Sequence, residues 1–219
     1  LNCIMKSLNK KIISVFCFLI ASFFNSHLFS KSVFIESFFK KVNIIKTCWI
    51  KRKLDNFFTV DEGNLYRSRQ LGKKALHNYI KRYEIKTIVN LRGENKDKKW
   101  WQHEKQVAQD SEVCFCDIAM SSSSLPSKEN LKKLLEIYDS APRPILIHCM
   151  SGSDRTGEAA AVWALDQQGK TIDEALKQLS IKYGHMKKKK PAKNFFINIW
   201  RGRNWAFTQY EPDIYTGYI

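Results

Sequence analysis

An α/β fold, with a central and mostly parallel sheet flanked by helices, is what this sequence predicts, on three observations. From Asn64 onward, short β-rich runs alternate with longer helix-period patterns, the order that lays helices over a sheet. One run, PILIH from Pro144 to His148, is apolar without alternation up to its histidine, as a central strand covered on both faces must be. And 219 residues with 44% hydrophobic content are enough to close one sizeable core.

The elements follow in order. Asn64–Ser68 (NLYRS) reads as a short strand, and Lys73–Arg82 as a helix with Leu76, Tyr79 and Ile80 on one face. Ile85–Arg92 (IKTIVNLR) is the next strand, Trp100–Gln109 the next helix, and Val113–Ala119 (VCFCDIA) a third strand. Cys114 and Cys116 share one face of it and read as small buried hydrophobes, or as thiols near enough to protect Cys149 under oxidation. Ser127 is placed to cap a helix running through Asp139, with Leu131, Leu134, Leu135 and Tyr138 as its apolar stripe. After PILIH comes a helix over Thr156–Gln168, closed by Gly169; Thr171 and Glu174 then spell a capping box. A last helix is expected over Ala192–Trp205.

Ahead of this domain lies a different kind of sequence. From Met5 a basic start leads into the apolar run Ile12–Phe24 and then polar residues, the pattern of a signal peptide and short for a membrane span. Residues 1–30 are therefore expected to be a signal peptide or membrane anchor, 31–55 a basic amphipathic linker able to lie on an anionic membrane surface, and 56–219 the folded domain. The protein would be exported or membrane-associated, with a cytoplasmic location as the other reading. The net charge of +16 suggests an anionic partner. Ten of the 37 Lys and Arg precede Leu54, against Glu36 alone, which leaves 27 basic and 20 acidic residues, or +7, for the rest. Since the excess sits with apolar residues in the tail and the domain carries no nucleic-acid motif, nucleic acid is not expected as a partner. The six cysteines show no zinc-type spacing, so no metal is expected.

The stretch His148–Gly157, HCMSGSDRTG, is where chemistry concentrates. A cysteine ending a buried strand, a loop over Met150, Ser151, Gly152, Ser153 and Asp154, and an arginine at a helix start would turn backbone N–H groups inward around an anion. The same groups lower a thiol's pKa, so Cys149 is a candidate nucleophile. Arg155 offers a planar fork for two phosphate oxygens, a geometry lysine lacks. Thr156 can aim its hydroxyl at the sulfur, and His148 can fix the loop with its ring. A phosphate is the ligand these residue types fit.

The motif is identified as the HCxxGxxRTG signature of the cysteine-dependent tyrosine and dual-specificity protein phosphatases, in their bacterial branch. NLYRSRQ, IKTIVNLRGE, the DIAMSSSSLP segment and the late YGH at Tyr183–His185 resemble that branch as well. The resemblance implies a phosphotyrosine-phosphatase-like fold and hydrolysis of a phosphate monoester, on phosphotyrosine and also phosphoserine or phosphothreonine. It implies a phosphocysteine on Cys149 and no cofactor.

Such enzymes use a general acid, usually an aspartate on a separate loop. The segment expected to carry it, AMSSSSLPS, has no carboxylate. Two candidates remain: Asp117, at the end of the VCFCD strand, and Asp154, whose DRTG context resembles phosphoinositide phosphatases of the myotubularin type, where that aspartate is assigned the acid role. Asp154 is slightly favoured. Met150, Ser151 and Ser153 stand where lysines favour phosphoinositides, so a phosphorylated protein leads as substrate. An inositol phosphate or phosphoinositide comes second, and a non-catalytic phosphate-binding module at a membrane surface is the rival of another class. Arg92, after IKTIVNL, could reach the substrate or a neighbouring carboxylate.

Overall fold

The computed structural model describes residues 54–218. The signal or anchor segment and nearly all of the linker lie outside the described residues. Five strands form one sheet: β1 (Phe58–Asp61), β2 (Leu65–Arg69), β3 (Thr87–Asn90), β4 (Cys114–Asp117) and β5 (Ile145–Cys149), in the order β1-β2-β5-β3-β4. β2, β5, β3 and β4 are parallel, and β1 runs antiparallel at the edge. That edge strand was not expected from sequence: it is four half-buried residues joined to β2 by a tight turn, in which Asn64 N–H donates to Asp61 O at 3.1 Å.

Helices α1 (Lys73–Tyr83), α2 (Lys99–Asp110), α3 (Lys128–Ser140), α4 (Asp154–Asp166), α5 (Ile172–Leu176), α6 (Pro191–Asn198) and α7 (Arg203–Thr208) cover both faces. The two-residue period of β5 divides the core. Ile145, Ile147 and Cys149 join the cluster built with α3, α4, α6 and α7, and Leu146 joins the cluster built with α1 and α2. α4 is buried nearly all round, with Ala159, Ala160, Ala161, Val162 and Trp163 fully inaccessible, the pattern of a helix packed on every side. The expected caps are present: Ser127 accepts from Asn130 N–H, and Thr171 and Glu174 close a capping box.

Two helices differ from expectation by more than a residue at an end. α4 begins at Asp154 rather than Thr156, because the chain turns helical directly after Ser153. The single helix expected over Ala192–Trp205 is two, α6 and α7. Gly202 takes φ +95°, outside helical space, and the break lets the Trp200 and Trp205 rings meet edge-on at 6.0 Å. Cys114 is exposed and Cys116 half-buried, and both are free thiols; the outward face of a four-residue strand does not bury the first of them. Among the described residues no helix is long and apolar enough to cross a membrane.

Candidate active site

β5, held between β2 and β3, delivers Cys149 to the end of the sheet, where the side chain is 2% exposed. The loop that follows is anchored by its carbonyls. Met150 O accepts from Gln70 N–H at 3.3 Å, Ser151 O from Asn56 Nδ2 at 2.9 Å, and Gly152 O from Arg67 Nη2 at 2.8 Å. Ser153 O accepts from Gly157 N–H at 2.9 Å, and the Ser153 hydroxyl donates to Tyr183 O at 2.8 Å. With the carbonyls engaged, the N–H groups of Ser151 to Arg155 have no oxygen partner among the described residues. This is an anion nest at the start of a 13-residue helix.

Gly152 makes the bend possible. Its φ is +75°, and a Cβ there would lie 2.7 Å from Arg69 N and from Ser68 C and O, backbone atoms that cannot move aside. Arg67, fully buried, holds the bend from below: besides Gly152 O it donates to Gln178 O and Oε1 at 2.9 and 2.8 Å and stacks 3.9 Å over the Tyr183 ring. Burial brings its pKa down to about 10.

Burial alone would push the Cys149 thiol up. The Thr156 hydroxyl and N–H and the Gly152 N–H close to the sulfur, with the positive charge of Arg155, outweigh it, and the pKa falls below the ordinary 9.0. Arg155 is half-buried; its Nη1 makes one long contact, 3.5 Å, to Leu91 O, and its buried Nε has no partner among the described residues. The guanidinium is positioned and its donors are open. Met150 is 60% exposed and Ser151 is exposed, so both sit at the rim.

His148 reaches the loop through a carboxylate. Its ring lies on the α2 face of β5, opposite the Cys149 side chain, with Nε2 2.8 Å from Glu104 Oε1. Glu104 Oε2 accepts from Gln70 Nε2 at 2.8 Å, and Gln70 Oε1 accepts from Arg92 Nη1 at 3.1 Å. Arg92 therefore finds an amide and not a carboxylate, and lies 3.5 Å over the Trp100 ring. Burial and then the nearby charge of Arg155 lower its pKa, so the two guanidiniums are neighbours.

Asp117 is occupied: Oδ1 accepts from Asn90 Nδ2 at 2.6 Å, and Trp101 Nε1 donates to Oδ1 and Oδ2 at 3.1 and 3.0 Å. Asp154 lies in the first turn of α4, 2.7 Å from His185 Nδ1. One turn on, Glu158 is fully buried against Lys193 Nζ at 2.8 Å, and Lys193 also donates to Ser124 O at 2.6 Å, tying down the serine segment. Burial pushes Glu158 up to about 7 despite Lys193. Sequence reasoning passed over Asn56, Arg67, Gln70, Glu104 and Lys193; only Arg67 and Gln70 fell within a quoted segment, NLYRSRQ.

A parallel α/β sheet whose central strand ends in a low-pKa cysteine, a carbonyl-anchored nest and an open arginine defines a cysteine-dependent phosphatase of the dual-specificity and tyrosine class. The family model described as "PTP-NADK: DSP-PTPase phosphatase fused to NAD+ Kinase" matches residues 37–196, and the chain belongs to that family. It is similar to the tyrosine-protein phosphatase cdc-14 of Caenorhabditis elegans, at 27% identity over 103 residues, 47% of this chain and 14% of that relative. The chain thus spans a small part of the relative's length. Among solved structures it resembles the core catalytic domain of the PP-IP phosphatase SIW14 from S. cerevisiae in complex with citrate. There the TM-score is 0.57 and the identity 24%, covering 67% of this chain and 85% of that one. It also resembles P. aeruginosa TpbA in complex with pTyr, with TM-score 0.53, 19% identity and the same coverage. At these identities the likeness shows the fold.

Proposed function

We propose that the protein hydrolyses phosphate monoesters with Cys149 as nucleophile, and that phosphotyrosine in proteins is its leading substrate. The observation that carries the chemistry is the loop itself: carbonyls engaged by Gln70, Asn56 and Arg67, N–H groups from Ser151 to Arg155 with no oxygen partner among the described residues, and a thiol below its ordinary pKa. The thiolate attacks phosphorus while these N–H groups and the Arg155 fork hold the equatorial oxygens, more tightly as charge spreads over them. The ester P–O bond breaks, and the leaving oxygen takes a proton from Asp154, since both oxygens of Asp117 are engaged by Asn90 and Trp101. Water then attacks the phosphocysteine, returns a proton to Asp154 and frees inorganic phosphate and the thiolate.

A second substrate, an inositol phosphate, is favoured by Arg92. A second guanidinium beside Arg155 with no carboxylate partner suits a ligand bearing two phosphates. Phosphotyrosyl peptides and inositol polyphosphates are therefore compared on purified protein under reducing conditions, with Cys149→Ser as control. Cys149→Ser is expected to bind substrate without turnover, whereas a protein that only recognises phosphate shows no turnover before the change. Arg92→Ala is expected to raise KM for the polyphosphate about tenfold while leaving KM for p-nitrophenyl phosphate in place. An unchanged KM for both removes the case for the inositol phosphate.

A further inference from the structure

His185 is a buried titratable group that the chemistry above leaves unused. Its side chain is wholly inaccessible; Nδ1 lies 2.7 Å from Asp154 Oδ1 on α4, and Nε2 lies 2.8 Å from Asn194 Oδ1 on α6. A ring pinned at both nitrogens by two helices has one orientation. Asp154, by contrast, keeps 19% of its side-chain surface, and its Oδ2 has no partner among the described residues. One oxygen is committed to the protein, and the other is open. An aspartate serving only to brace the loop would bond to the loop's own N–H groups. Here those N–H groups have no oxygen partner, and the carboxylate is drawn off by a histidine 31 residues away.

We infer that His185 is a positioning residue that makes Asp154 the general acid. Its Nδ1–H donates to Oδ1 and leaves Oδ2 to carry and deliver the proton. This rests on the proposal that Asp154 is the acid. In the step, the sulfur lone pair forms the S–P bond, the ester P–O bond breaks with its electron pair on the leaving oxygen, and the proton of Asp154 Oδ2 passes to that oxygen. The carboxylate that remains is stabilised by the His185 donor until the attacking water returns a proton. Glu158, four residues on, is paired with Lys193 at 2.8 Å.

The test uses two esters that differ in their need for a proton, p-nitrophenyl phosphate and phenyl phosphate, with two variants that differ in where they place an N–H. An asparagine amide falls at the Nδ1 position of the ring, and a glutamine amide at the Nε2 position. Asp154→Asn is expected to slow phenyl phosphate by about 100-fold or more, in the range general acids contribute, and p-nitrophenyl phosphate far less. His185→Gln is expected to reproduce that selective loss and His185→Asn to recover most of it. The Asp154→Asn/His185→Gln pair is expected to be no slower than Asp154→Asn alone. Inhibition by inorganic phosphate, measured on every variant, reports an intact loop. Should His185→Gln slow both esters equally, or add to Asp154→Asn, the positioning role is overturned while Asp154 stays the acid. Equal losses on both esters for Asp154→Asn overturn the acid assignment itself.

Discussion

Two buried histidines flank the phosphate loop, and the carboxylates that meet them end differently. On the β5 side, His148 Nε2 meets Glu104 Oε1 at 2.8 Å with side-chain exposures of 1% and 2%, and the other oxygen, Oε2, accepts from Gln70. On the α4 side, His185 meets Asp154 at 2.7 Å, and the second carboxylate oxygen is open. The first pair is closed into a chain through Gln70 to the loop carbonyl of Met150, with both carboxylate oxygens engaged. It can only brace. The second has one oxygen held and one available, which is what a proton donor needs. A histidine with a carboxylate is a strut where both oxygens are engaged and suits the proposed acid where one is open.

The largest effect expected from this difference is on stability. Glu104→Ala leaves His148 buried without its partner and frees Gln70, the residue that joins the loop to Arg92. A cost of about 3–5 kcal/mol is expected in urea unfolding, in line with removal of one member of a buried pair. Asp154→Asn keeps an oxygen for His185 and is expected to cost under about 1 kcal/mol. If the Asp154 variant proves the less stable of the two, the strut and the acid have been assigned to the wrong sides.

Next in size is the dependence of stability on pH. Burial pushes His148 down, but the charge and hydrogen bond of Glu104 push it up further, and the net shift is above 6.5. A histidine raised in the folded state contributes stability that is complete below its unfolded pKa and is lost as pH rises through its folded one. Glu158 is raised from 4.5 to about 7, so between those values the folded protein holds a proton the unfolded chain has released, and stability falls as pH rises. Glu104→Gln is expected to flatten the decline above pH 6.5, and Glu158→Gln the decline between 4.5 and about 7. Unfolding free energies at pH 5, 6, 7 and 8 measure both, and a wild-type curve that rises across this window contradicts both assignments.

How far the sequence reached follows the range of the interactions. The strand before Cys149, the helix after Arg155 and both caps are local patterns, and they stand where the residues put them within about two positions. Cys149, Arg155, Thr156 and Gly152 were legible for the same reason, since the loop is contiguous. What holds the loop is not: Arg67 and Gly152 are 85 residues apart, Asn56 and Ser151 95, and Lys193 and Glu158 35. Neither partner of such a bond signals the other by spacing. That His148 holds the loop by way of Glu104 and Gln70 was not legible, because one residue of strand alternation decides which face its ring takes, and the apolar run through PILIH carries no alternation to read. Helix α6 was overextended because Gly202, between Arg201 and Arg203, does not disclose its φ.

The smallest effect separates the loop from its α4 flank. The groups that do most to lower the Cys149 thiol are Thr156, Arg155 and Gly152, all within seven residues of it, and the His185–Asp154 pair is not among them, whereas His148 is coupled to the thiol by charge. Thr156→Val removes one hydroxyl donor and keeps the shape of the side chain, so the thiolate loses one hydrogen bond of the kind worth roughly 1.5 kcal/mol, or about one pKa unit. Alkylation by iodoacetamide, followed as rate against pH, should show a wild-type midpoint below 9.0. Thr156→Val should move that midpoint up by about one unit, and Asp154→Asn should leave it where it is. A shift with Asp154→Asn as large as with Thr156→Val would make that carboxylate part of the thiolate's own environment. The division of labour would then fail at its centre: nucleophile and acid would titrate together, and Asp154→Asn would slow both esters alike.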